Sequence, residues 1–200
     1  MTKGNLYIVS APSGAGKTSL LNAVKTELDQ LKVAVSHTTR APRPGEIDGE
    51  HYHFVTVQEF NKMKDACDFV EYAEVFGNFY GTSKQAMNSL LDQGLSVVLE
   101  IDWQGAKKVR KEYPQAISIF ILPPSVAELE KRLIARGQDS ADVILSRMRQ
   151  ARSEISHYGE YQYLVINDDI VAAVNALRNI FTRPENYVAP SQSSLDQLLN

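Results

Sequence analysis

One stretch near the start of the chain decides the fold: the apolar run Leu6-Tyr7-Ile8-Val9, followed after one residue by Ala11-Pro12-Ser13-Gly14-Ala15-Gly16-Lys17-Thr18. The four apolar residues are too few for the apolar core of a signal peptide and predict a short buried strand. Apolar residues at helical spacing follow the second segment: Leu20, Leu21, Val24, Leu28 and Leu31. We therefore predict a strand, a glycine-rich loop and an amphipathic helix in succession.

The glycine-rich loop matches the phosphate-binding loop in its spacing, its lysine and its threonine, with Ala11 in place of the first glycine. Glycines let successive backbone N–H groups turn toward one anion, and the N-terminus of the following helix adds a partial positive charge. In such a loop Lys17 reaches the outer phosphates and Thr18 helps to hold Mg²⁺. The alternative is an accidental Gly-Lys-Thr at a helix start. The strand, the loop and the helix fall where the motif requires them, so the sequence predicts a phosphate site.

Four further apolar runs predict buried strands: Val33–Val35, Val97–Ile101, Ile117–Leu122 and Tyr163–Ile166. Helical patterns follow the first four strands, which favours an α/β fold with a parallel sheet covered on both faces. The last amphipathic helix carries Ile170, Ala173, Val174, Leu177 and Phe181. Another helix begins after Pro124, where Ser125 and Glu128 form a capping-box pattern, and ends at Gly137.

Residues 37–82 follow a different pattern and are predicted to form an insert. Two stretches are typical of strands, His51–Val55 and Phe69–Phe76. The helix between them opens at the capping-box pair Thr56 and Glu59. Two segments rich in turn-forming residues complete the insert: Arg40–Glu46 and Gly77–Gly81.

The composition is that of one compact globular domain: 200 residues, 44% of them hydrophobic and 22% charged, with a formal net charge of −3. The most apolar run, Ala116–Leu122, is far shorter than the roughly 20 residues of a membrane-spanning helix, so we expect no membrane association. Because the net charge would repel a polyanion, we expect no nucleic acid partner. A single cysteine, Cys67, fits a reducing compartment, and we expect a cytoplasmic protein.

Basic side chains concentrate between residues 131 and 152, a segment that contains six basic residues and only two acidic ones. Two of them, Arg132 and Arg136, are four residues apart and share one face of the predicted helix. A short basic segment in an acidic chain suits a small anion better than a long polyanion.

Three acidic residues are candidates for ligand binding. Glu100 and Asp102 end the third central strand, at the sheet edge where open α/β folds bind ligands. They either orient Mg²⁺ and its waters or cap the next helix. Glu71 lies in an apolar strand, where an unpaired carboxylate is costly. It either accepts hydrogen bonds from a guanine base, whose N1–H and N2–H₂ are both donors, or faces solvent from a half-exposed strand.

Two arginines in the insert are candidates for phosphate binding. Arg40 and Arg43 lie three residues apart around a proline, so both guanidinium groups could converge on one phosphate. Tyr52 and Tyr80 would add phenolic hydroxyls. The alternative is a solvated basic turn.

Other reactive residue types in the insert have ordinary explanations. His51 and His53 point to one face of a predicted strand, but no third ligand is spaced to join them in a metal site. Cys67 has no basic neighbour to stabilise a thiolate and is interpreted as structural or incidental.

Taken together, these residues resemble the signature of guanylate kinases. The densest match is Thr38-Thr39-Arg40-x-x-Arg43-x-x-Glu46-x-x-Gly49-x-x-Tyr52-x-Phe54. The resemblance extends to the glycine-rich loop and to four further segments: Gly77–Thr82, Glu100–Gly105, Arg132–Gly137 and Val165–Asp169. It covers nearly the whole chain, from about residue 4 to residue 182.

The resemblance implies a P-loop kinase: a three-layer αβα fold with a five-stranded parallel core sheet, a mixed α/β insert that binds GMP, and a lid that closes over ATP. Residues 1–200 would form a single domain. Its implied parts are a core of residues 1–36, 83–124 and 157–182, the GMP-binding insert 37–82, the lid 125–156 and a C-terminal tail 183–200.

The resemblance also implies the roles of individual residues. The ATP site would comprise Ala11, Pro12, Ser13, Gly14, Ala15, Gly16, Lys17, Thr18, Asn167 and Asp168. The phosphate of GMP would contact Arg40, Arg43, Tyr52 and Tyr80, and its guanine would contact Ser36, Glu71, Thr82 and Asp102. The catalytic residues would be Lys17, Arg132, Arg136 and Arg147. Magnesium would be held by Thr18 together with ATP, and by Glu100 and Asp102 through water.

The implied reaction transfers the γ-phosphoryl group of ATP to GMP, and also to dGMP, in purine nucleotide metabolism and GMP recycling. There are two alternatives, the first from a different class of protein and the second a kinase with another acceptor. A catalytically silent module would bind a protein partner through the insert, but Lys17 and Thr18 are present and argue against it. A P-loop kinase with a different acceptor is disfavoured by Glu71. The tail, 184–200, would either pack on a neighbouring subunit, making a homo-oligomer, or form a frayed end.

Overall fold

The computed structural model describes residues 3–75, 77–135 and 141–199. Contacts group the chain into two compact units. Unit one comprises Met1–Ile8 and Gln30–Ala116, and unit two comprises Val9–Asp29 and Ile117–Asn200. Within the described ranges, no helix is both long and apolar enough to cross a membrane.

Nine strands and eight α-helices lie in the described residues. The strands are β1 (Leu6–Ser10), β2 (Leu31–Val33), β3 (His37–Thr38), β4 (His53–Phe54), β5 (Phe69–Val75), β6 (Asn78–Ser83), β7 (Ser96–Glu100), β8 (Ile117–Leu122) and β9 (Tyr163–Ile166). The helices are α1 (Lys17–Lys25), α2 (Val57–Asp65), α3 (Lys84–Asp92), α4 (Trp103–Glu112), α5 (Val126–Ala135), α6 (Ala141–Ile155), α7 (Ile170–Thr182) and α8 (Gln192–Leu199).

The larger sheet has five parallel strands in the order β2-β7-β1-β8-β9. Strand β1 is buried along its whole length, and β8 is buried at all positions except the first. Strands that are buried on both faces are typical of a parallel sheet covered by helices. The predicted fold class, a P-loop-type αβα architecture with a five-stranded parallel sheet, is confirmed.

Side-chain caps fix the starts of most helices. Thr56 forms the predicted capping box with Glu59 at α2, and Ser125 accepts a hydrogen bond from the Glu128 N–H at α5 over 3.0 Å. Three more helices begin with a side-chain cap: Ser83 at α3, Asp102 at α4 and Asp169 at α7. Each cap satisfies an N–H group that the helix leaves without a backbone partner.

Two boundaries near the start of the chain were predicted wrongly. Helix α1 buries Leu20, Leu21 and Val24 but ends at Lys25, so Leu28 and Leu31 are not on it. Leu31 instead begins β2, which therefore lies two residues before the predicted strand Val33–Val35. The apolar spacing of a helix continued by chance through the turn, because the residue pattern alone carries no signal for where the helix ends. The predicted end of another helix, Gly137, lies outside the described residues.

The smaller sheet, in unit one, has the order β4-β3-β6-β5. It contains the two predicted strands, one shortened to β4 and the other found as β5, whose predicted end at Phe76 lies outside the described residues. It also contains β6, where a glycine-flanked turn segment was expected. Phe60 of α2 stacks on Phe69 with 4.6 Å between ring centroids and on Phe79 with 5.5 Å. A Cβ on Gly81 of β6 would lie 3.1 Å from the Phe60 ring, so this sheet packs closely on α2.

The C-terminal tail ends in a helix that packs on its own chain. Leu195 and Leu198 of α8 are 8% and 1% exposed, so the tail is not a frayed end. Packing of the tail on a second subunit stays a prediction. The Tyr187 hydroxyl donates to the Leu164 carbonyl over 2.6 Å and accepts from the Leu164 N–H over 3.1 Å. Since β9 is an edge strand, Tyr187 satisfies outward-facing backbone groups of that edge.

Candidate active site

The glycine-rich loop of unit two has the backbone geometry of an anion site. Gly14 and Gly16 adopt φ values of +93° and +90°, which L side chains rarely tolerate. Helix α1 starts at Lys17 with Gly16 as its N-cap residue and has no side-chain cap, unlike the capped helices described above. A helix start of this kind suits an external anion in the place of a capping side chain.

Asn167 supports this loop from the end of β9. Its side-chain Nδ2 donates to the Ala15 carbonyl over 2.7 Å, and the residue is 7% exposed. A Cβ on Gly16 would lie 2.4 Å from the same nitrogen, so only glycine fits between this amide and the loop. The predicted role of Asn167 at the adenine of ATP stays a prediction. Asp168, the next residue, is exposed, and its predicted role in the ATP site also stays a prediction.

Two further contacts hold the loop. A Cβ on Gly14 would lie 3.0 Å from both Leu129 and Leu133, which shows that α5 packs directly on the loop. The Ser13 N–H donates to Glu154 Oε2 of α6 over 3.2 Å. Glu154 was not among the predicted site residues, because no local pattern connects residues 141 positions apart.

The predicted lid arginines lie on α5 and α6. Arg132 is half-buried and its Nε lies 3.4 Å from Glu128 Oε1, one helical turn away. Arg147 is half-buried on α6. Arg136 lies outside the described residues. Helices α5 and α6 pack through a cluster of Leu129, Leu133, Met148 and Ala151.

In unit one, the structure brings together three of the four predicted phosphate ligands of GMP. The Arg40 guanidinium lies 5.4 Å from the centroid of the Tyr52 ring, and the Tyr52 and Tyr80 rings meet edge to face at 5.9 Å. Burial raises the pKa of Tyr52 to about 12, so its hydroxyl is a hydrogen-bond donor at neutral pH. Arg43 is exposed on the neighbouring turn, and its predicted role as a phosphate ligand stays a prediction.

Glu46 organises this cluster. Its two carboxylate oxygens accept from Arg40 Nη2 over 2.8 and 2.9 Å, and Oε2 also accepts from the Arg43 N–H over 2.7 Å. The hydrogen bond from Arg40 lowers the pKa of Glu46, which stays ionised. Glu46 was predicted as part of the signature, but no role was assigned to it. Its position three residues after Arg43 was the signal in the sequence that could have indicated a bond to this turn.

A second polar group, buried in the smaller sheet, carries the predicted guanine contacts. Glu71 is 5% exposed, which excludes the solvent-facing alternative. The Thr82 hydroxyl donates to Glu71 Oε1 over 2.9 Å and lies 3.2 Å from the Ser36 hydroxyl. The structure therefore joins Ser36, Thr82 and Glu71 in one chain of hydrogen bonds.

The Glu71 carboxyl has an unusual acidity. Burial raises the pKa of Glu71 to about 7, while the bond from Thr82 opposes the shift and the nearby Asp102 charge adds to it. Lys108, whose Nζ donates to the Tyr72 carbonyl over 2.9 Å, lowers the pKa of Glu71. A carboxyl with this pKa, buried beside polar side chains, is typical of a functional site.

Asp102 serves as the N-cap of α4. Its Oδ1 accepts from the Gly105 N–H over 2.7 Å, so the capping alternative is confirmed for this residue. A Cβ on Gly105 would lie 2.8 Å from Glu71 Oε2 and 3.3 Å from Asp102 Oδ1, so glycine allows the two carboxylates to approach the helix start together. Glu100, at the end of β7, raises the pKa of Tyr52 through its charge. It therefore lies near the arginine cluster, the group formed by Arg40, Tyr52, Tyr80 and Glu46.

The prediction that His51 and His53 lie on one strand was wrong for His51. The rings of His53 on β4 and His37 on β3 lie 4.7 Å apart between centroids and are tilted by 33°. His51 lies outside the strand, and its Nδ1 accepts from the Ile47 N–H. His37 was missed, because β3 has only two residues. In the described part of the chain no group of three or more metal-ligating side chains comes together.

These two sites have the chemistry of nucleotide binding. A glycine-rich loop between a parallel strand and a helix without a side-chain cap suits the phosphates of a nucleoside triphosphate. The Thr18 hydroxyl at the helix start is an oxygen ligand of the kind that Mg²⁺ prefers. The loop, with the five-stranded parallel sheet and its helices, defines a P-loop nucleotide-binding protein.

Comparison with known proteins gives the family. Residues 3–184 match the family model described as guanylate kinase. The chain is 59% identical over 179 residues to a guanylate kinase of Shewanella denitrificans, covering 89% of this chain and 86% of that protein. It is 54% identical over 205 residues to a guanylate kinase of Vibrio parahaemolyticus, covering 100% and 99% of the two chains. The chain therefore belongs to the guanylate kinase family, and it is an enzyme, a kinase of that family.

A solved structure agrees with this result. The crystal structure of guanylate kinase from Anaplasma phagocytophilum superposes with a TM-score of 0.76 at 35% sequence identity. The match covers 94% of this chain and 89% of that chain.

Proposed function

We propose that this protein transfers the γ-phosphoryl group of ATP to GMP, giving ADP and GDP, and that it accepts dGMP as well. Its place would be in purine nucleotide metabolism and GMP recycling, in the cytoplasm. Unit one binds the acceptor nucleotide, and unit two binds ATP. Residues 37–82 act as the GMP-binding insert and 125–156 as the lid.

The buried Glu71 carries the proposal. An ionised carboxylate accepts both the N1–H and the N2–H₂ of guanine, whereas adenine offers an acceptor at N1 and would leave Glu71 unsatisfied. Thr82 fixes one carboxylate oxygen of Glu71, and Ser36 continues the hydrogen-bond chain. A buried polar group that is left unpaired penalises the wrong ligand by several orders of magnitude. This pocket therefore selects guanine, with Asp102 completing the base contacts.

The arginine cluster binds the phosphate of GMP. Arg40, held by Glu46, and the hydroxyls of Tyr52 and Tyr80 donate to its oxygens, and the exposed Arg43 closes on it from the turn. A guanidinium fork and phenolic hydroxyls match the geometry of phosphate oxygens.

Catalysis follows from phosphoryl-transfer chemistry. A phosphate oxygen of GMP is already anionic at neutral pH, so the attack on the γ-phosphorus needs no general base. The protein supplies alignment, exclusion of water and positive charge around the transferring group. Lys17 stabilises charge on the phosphoryl oxygens, together with Arg132, Arg136 and Arg147 of the lid.

Magnesium would be held by the Thr18 hydroxyl, and through water by Glu100 and Asp102. When bound, it neutralises phosphate charge and orients the phosphates of ATP. Of the loop residues Ala11 to Gly16, Pro12 has no N–H to donate and the Ser13 N–H is bonded to Glu154, so the remaining N–H groups bind the same phosphates.

Release of ADP with Mg²⁺, ATP and each of GMP, AMP, CMP and UMP in turn tests the proposal. Lys17→Ala serves as the blank, because it removes the positive charge that stabilises the transferring phosphoryl group and leaves Glu71 and its hydrogen-bond partners intact. ADP formation well above the blank with GMP alone supports the proposal. Equal rates with all four acceptors would show that Glu71 and its partners do not select the base of the acceptor. If no acceptor gave ADP above the blank, the proposed kinase reaction would be rejected.

A further inference from the structure

We propose that Glu154 is a positioning residue: it anchors α6 to the glycine-rich loop and so sets where Arg147 stands for phosphoryl transfer. The proposal rests on the function proposed above, which gives Arg147 its role. It concerns a residue that no motif in the sequence singles out. All the groups involved belong to unit two.

The first observation is the hydrogen bond between the loop and the helix. The Ser13 N–H donates to Glu154 Oε2 over 3.2 Å, in a partly buried setting. Hydrogen bonds from a neutral N–H to an ionised carboxylate are stronger than those between neutral groups. Glu154 lies near the C-terminal end of α6, which ends at Ile155, so the bond fixes that end of the helix to the loop.

The second observation is the spacing of Arg147 and Glu154. They are seven residues apart, two helical turns, and therefore lie on the same side of α6 about 10 Å apart along its axis. Ala151 lies between them on that side and is fully buried against Leu129 and Leu133 of α5. A rotation of α6 about its anchored end would thus be passed on to Arg147.

The third observation is that α5 rests on the same loop. Gly14 is so close to Leu129 and Leu133 that an added Cβ would lie 3.0 Å from each. The α5–α6 pair therefore contacts the loop at two points, an apolar one at Gly14 and a polar one at Ser13. The apolar contact allows sliding, whereas the hydrogen bond specifies one position of α6.

A different role for the same contact has the opposite consequence. If the Glu154 carboxylate were a stand-in for a phosphate, it would compete with ATP, and its removal would tighten ATP binding. The anchoring role requires that removal of Glu154 impair turnover instead.

Three substitutions separate charge from reach. Glu154→Ala removes the acceptor. Glu154→Gln keeps an amide oxygen at the same distance and removes the charge, while Glu154→Asp keeps the charge and withdraws it by one methylene group. Glu130→Ala, at an exposed glutamate of α5, is the matched control.

We expect Glu154→Ala and Glu154→Asp to lower kcat about tenfold with little change in KM for GMP, which corresponds to the loss of one charge-assisted hydrogen bond. Glu154→Gln should stay within about threefold of the wild type, as should Glu130→Ala. In a variant that already carries Arg147→Ala, adding Glu154→Ala should lower kcat by less than a further factor of about two, because Glu154 acts by positioning Arg147. If Glu154→Ala does not fold, the comparison of kcat between Glu154→Asp and Glu154→Gln tests the proposal in its place.

Amide hydrogen exchange of residues 141–155 tests the anchor without any turnover. Glu154→Ala should speed exchange at the C-terminal end of α6, and Glu154→Gln should not. Unchanged exchange and kcat in Glu154→Ala, full additivity with Arg147→Ala, equal losses in Gln and Ala, or tighter ATP binding would each overturn the proposal. Failure of the proposed function is seen separately, as a wild type that does not phosphorylate GMP or an Arg147→Ala variant with normal kcat.

Discussion

The Glu46 carboxylate binds the Arg40 guanidinium through both of its oxygens, at 2.8 and 2.9 Å from Nη2. Both side chains are mostly shielded from solvent, at 17% and 15% exposure, so the pair is stronger than an ordinary surface salt bridge. Arg40 is thereby held in one orientation over the Tyr52 ring before any ligand arrives. A preorganised guanidinium loses less conformational entropy when it binds phosphate.

Loss of Glu46 should weaken GMP binding. We expect Glu46→Ala to raise KM for GMP about tenfold, because Arg40 would lose its partner and the Arg43 turn would lose the acceptor of its N–H. KM for ATP should stay within about twofold. Steady-state kinetics with each substrate varied in turn measure both constants. Glu50→Ala, at an exposed acid of the same segment, is the control, and a GMP KM equal to that of the control would remove Glu46 from the site.

Binding of GMP should depend on the ionisation of Glu71. Its pKa is raised to about 7 by burial, and only the carboxylate can accept both guanine donors. The Glu71 carboxyl is therefore mostly protonated at pH 6 and mostly ionised at pH 8, so KM for GMP should fall about tenfold between these values. KM for ATP, measured in the same series, should lack this step.

Glu71→Gln is the control for this pH profile. The phosphate of GMP itself titrates at a pH of about 6 and contributes to the profile of every variant. The difference between wild type and Glu71→Gln isolates the carboxyl. Parallel profiles for the two proteins would show that Glu71 does not titrate on GMP binding.

Asn167 should support ATP binding through the loop. Removing its amide in Asn167→Ala leaves the Ala15 carbonyl without its buried donor, which costs about 1–3 kcal/mol. We expect KM for ATP to rise about tenfold, and further in Asn167→Asp, where a carboxylate would face the carbonyl and the phosphates. Asn88→Ala, on the exposed side of α3, is the control. Normal ATP kinetics in Asn167→Asp would contradict this support.

Replacing Cys67 by glycine should stabilise the protein. The φ of Cys67 is +58°, in the left-handed region, where it ends α2 with N–H bonds from Cys67 to the Lys64 carbonyl and from Asp68 to the Met63 carbonyl. This C-terminal motif favours glycine, and a side chain there costs about 1 kcal/mol. Cys67→Gly should raise the free energy of unfolding in urea by about that amount. Cys67→Ala keeps a Cβ, and an equal gain there would rule out backbone strain as the cause.

Much of this fold follows from local sequence patterns. The strand Leu6–Val9, the glycine-rich loop and the capping box of Thr56 and Glu59 were all predicted, because each depends on neighbours within a few residues. The same local reasoning extended the first helix to Leu31, since spacing alone cannot separate a helix from a turn that happens to continue its pattern. The two-residue strand that carries His37 gave no periodic signal at all.

The site was predictable only where a motif names its residues. Glu71, Arg40 and Tyr52 were selected as candidates, and the structure places the Arg40 guanidinium over the Tyr52 ring and buries Glu71. The partners that hold them come from tertiary structure. Glu154 reaches Ser13 across 141 positions, a distance over which a sequence pattern carries no information.

The discrimination between GMP and AMP, measured as the ratio of kcat/KM for the two acceptors in wild type and Glu71→Gln, tests the central claim most directly. The amide introduced by this substitution offers one acceptor oxygen and one NH₂, so it cannot accept both guanine donors. We predict a ratio of about 1000 or more in the wild type and a fall of about 100-fold in Glu71→Gln, with KM for ATP unchanged. A wild type that phosphorylates AMP as well as GMP, or a ratio that the substitution leaves intact, would contradict the account.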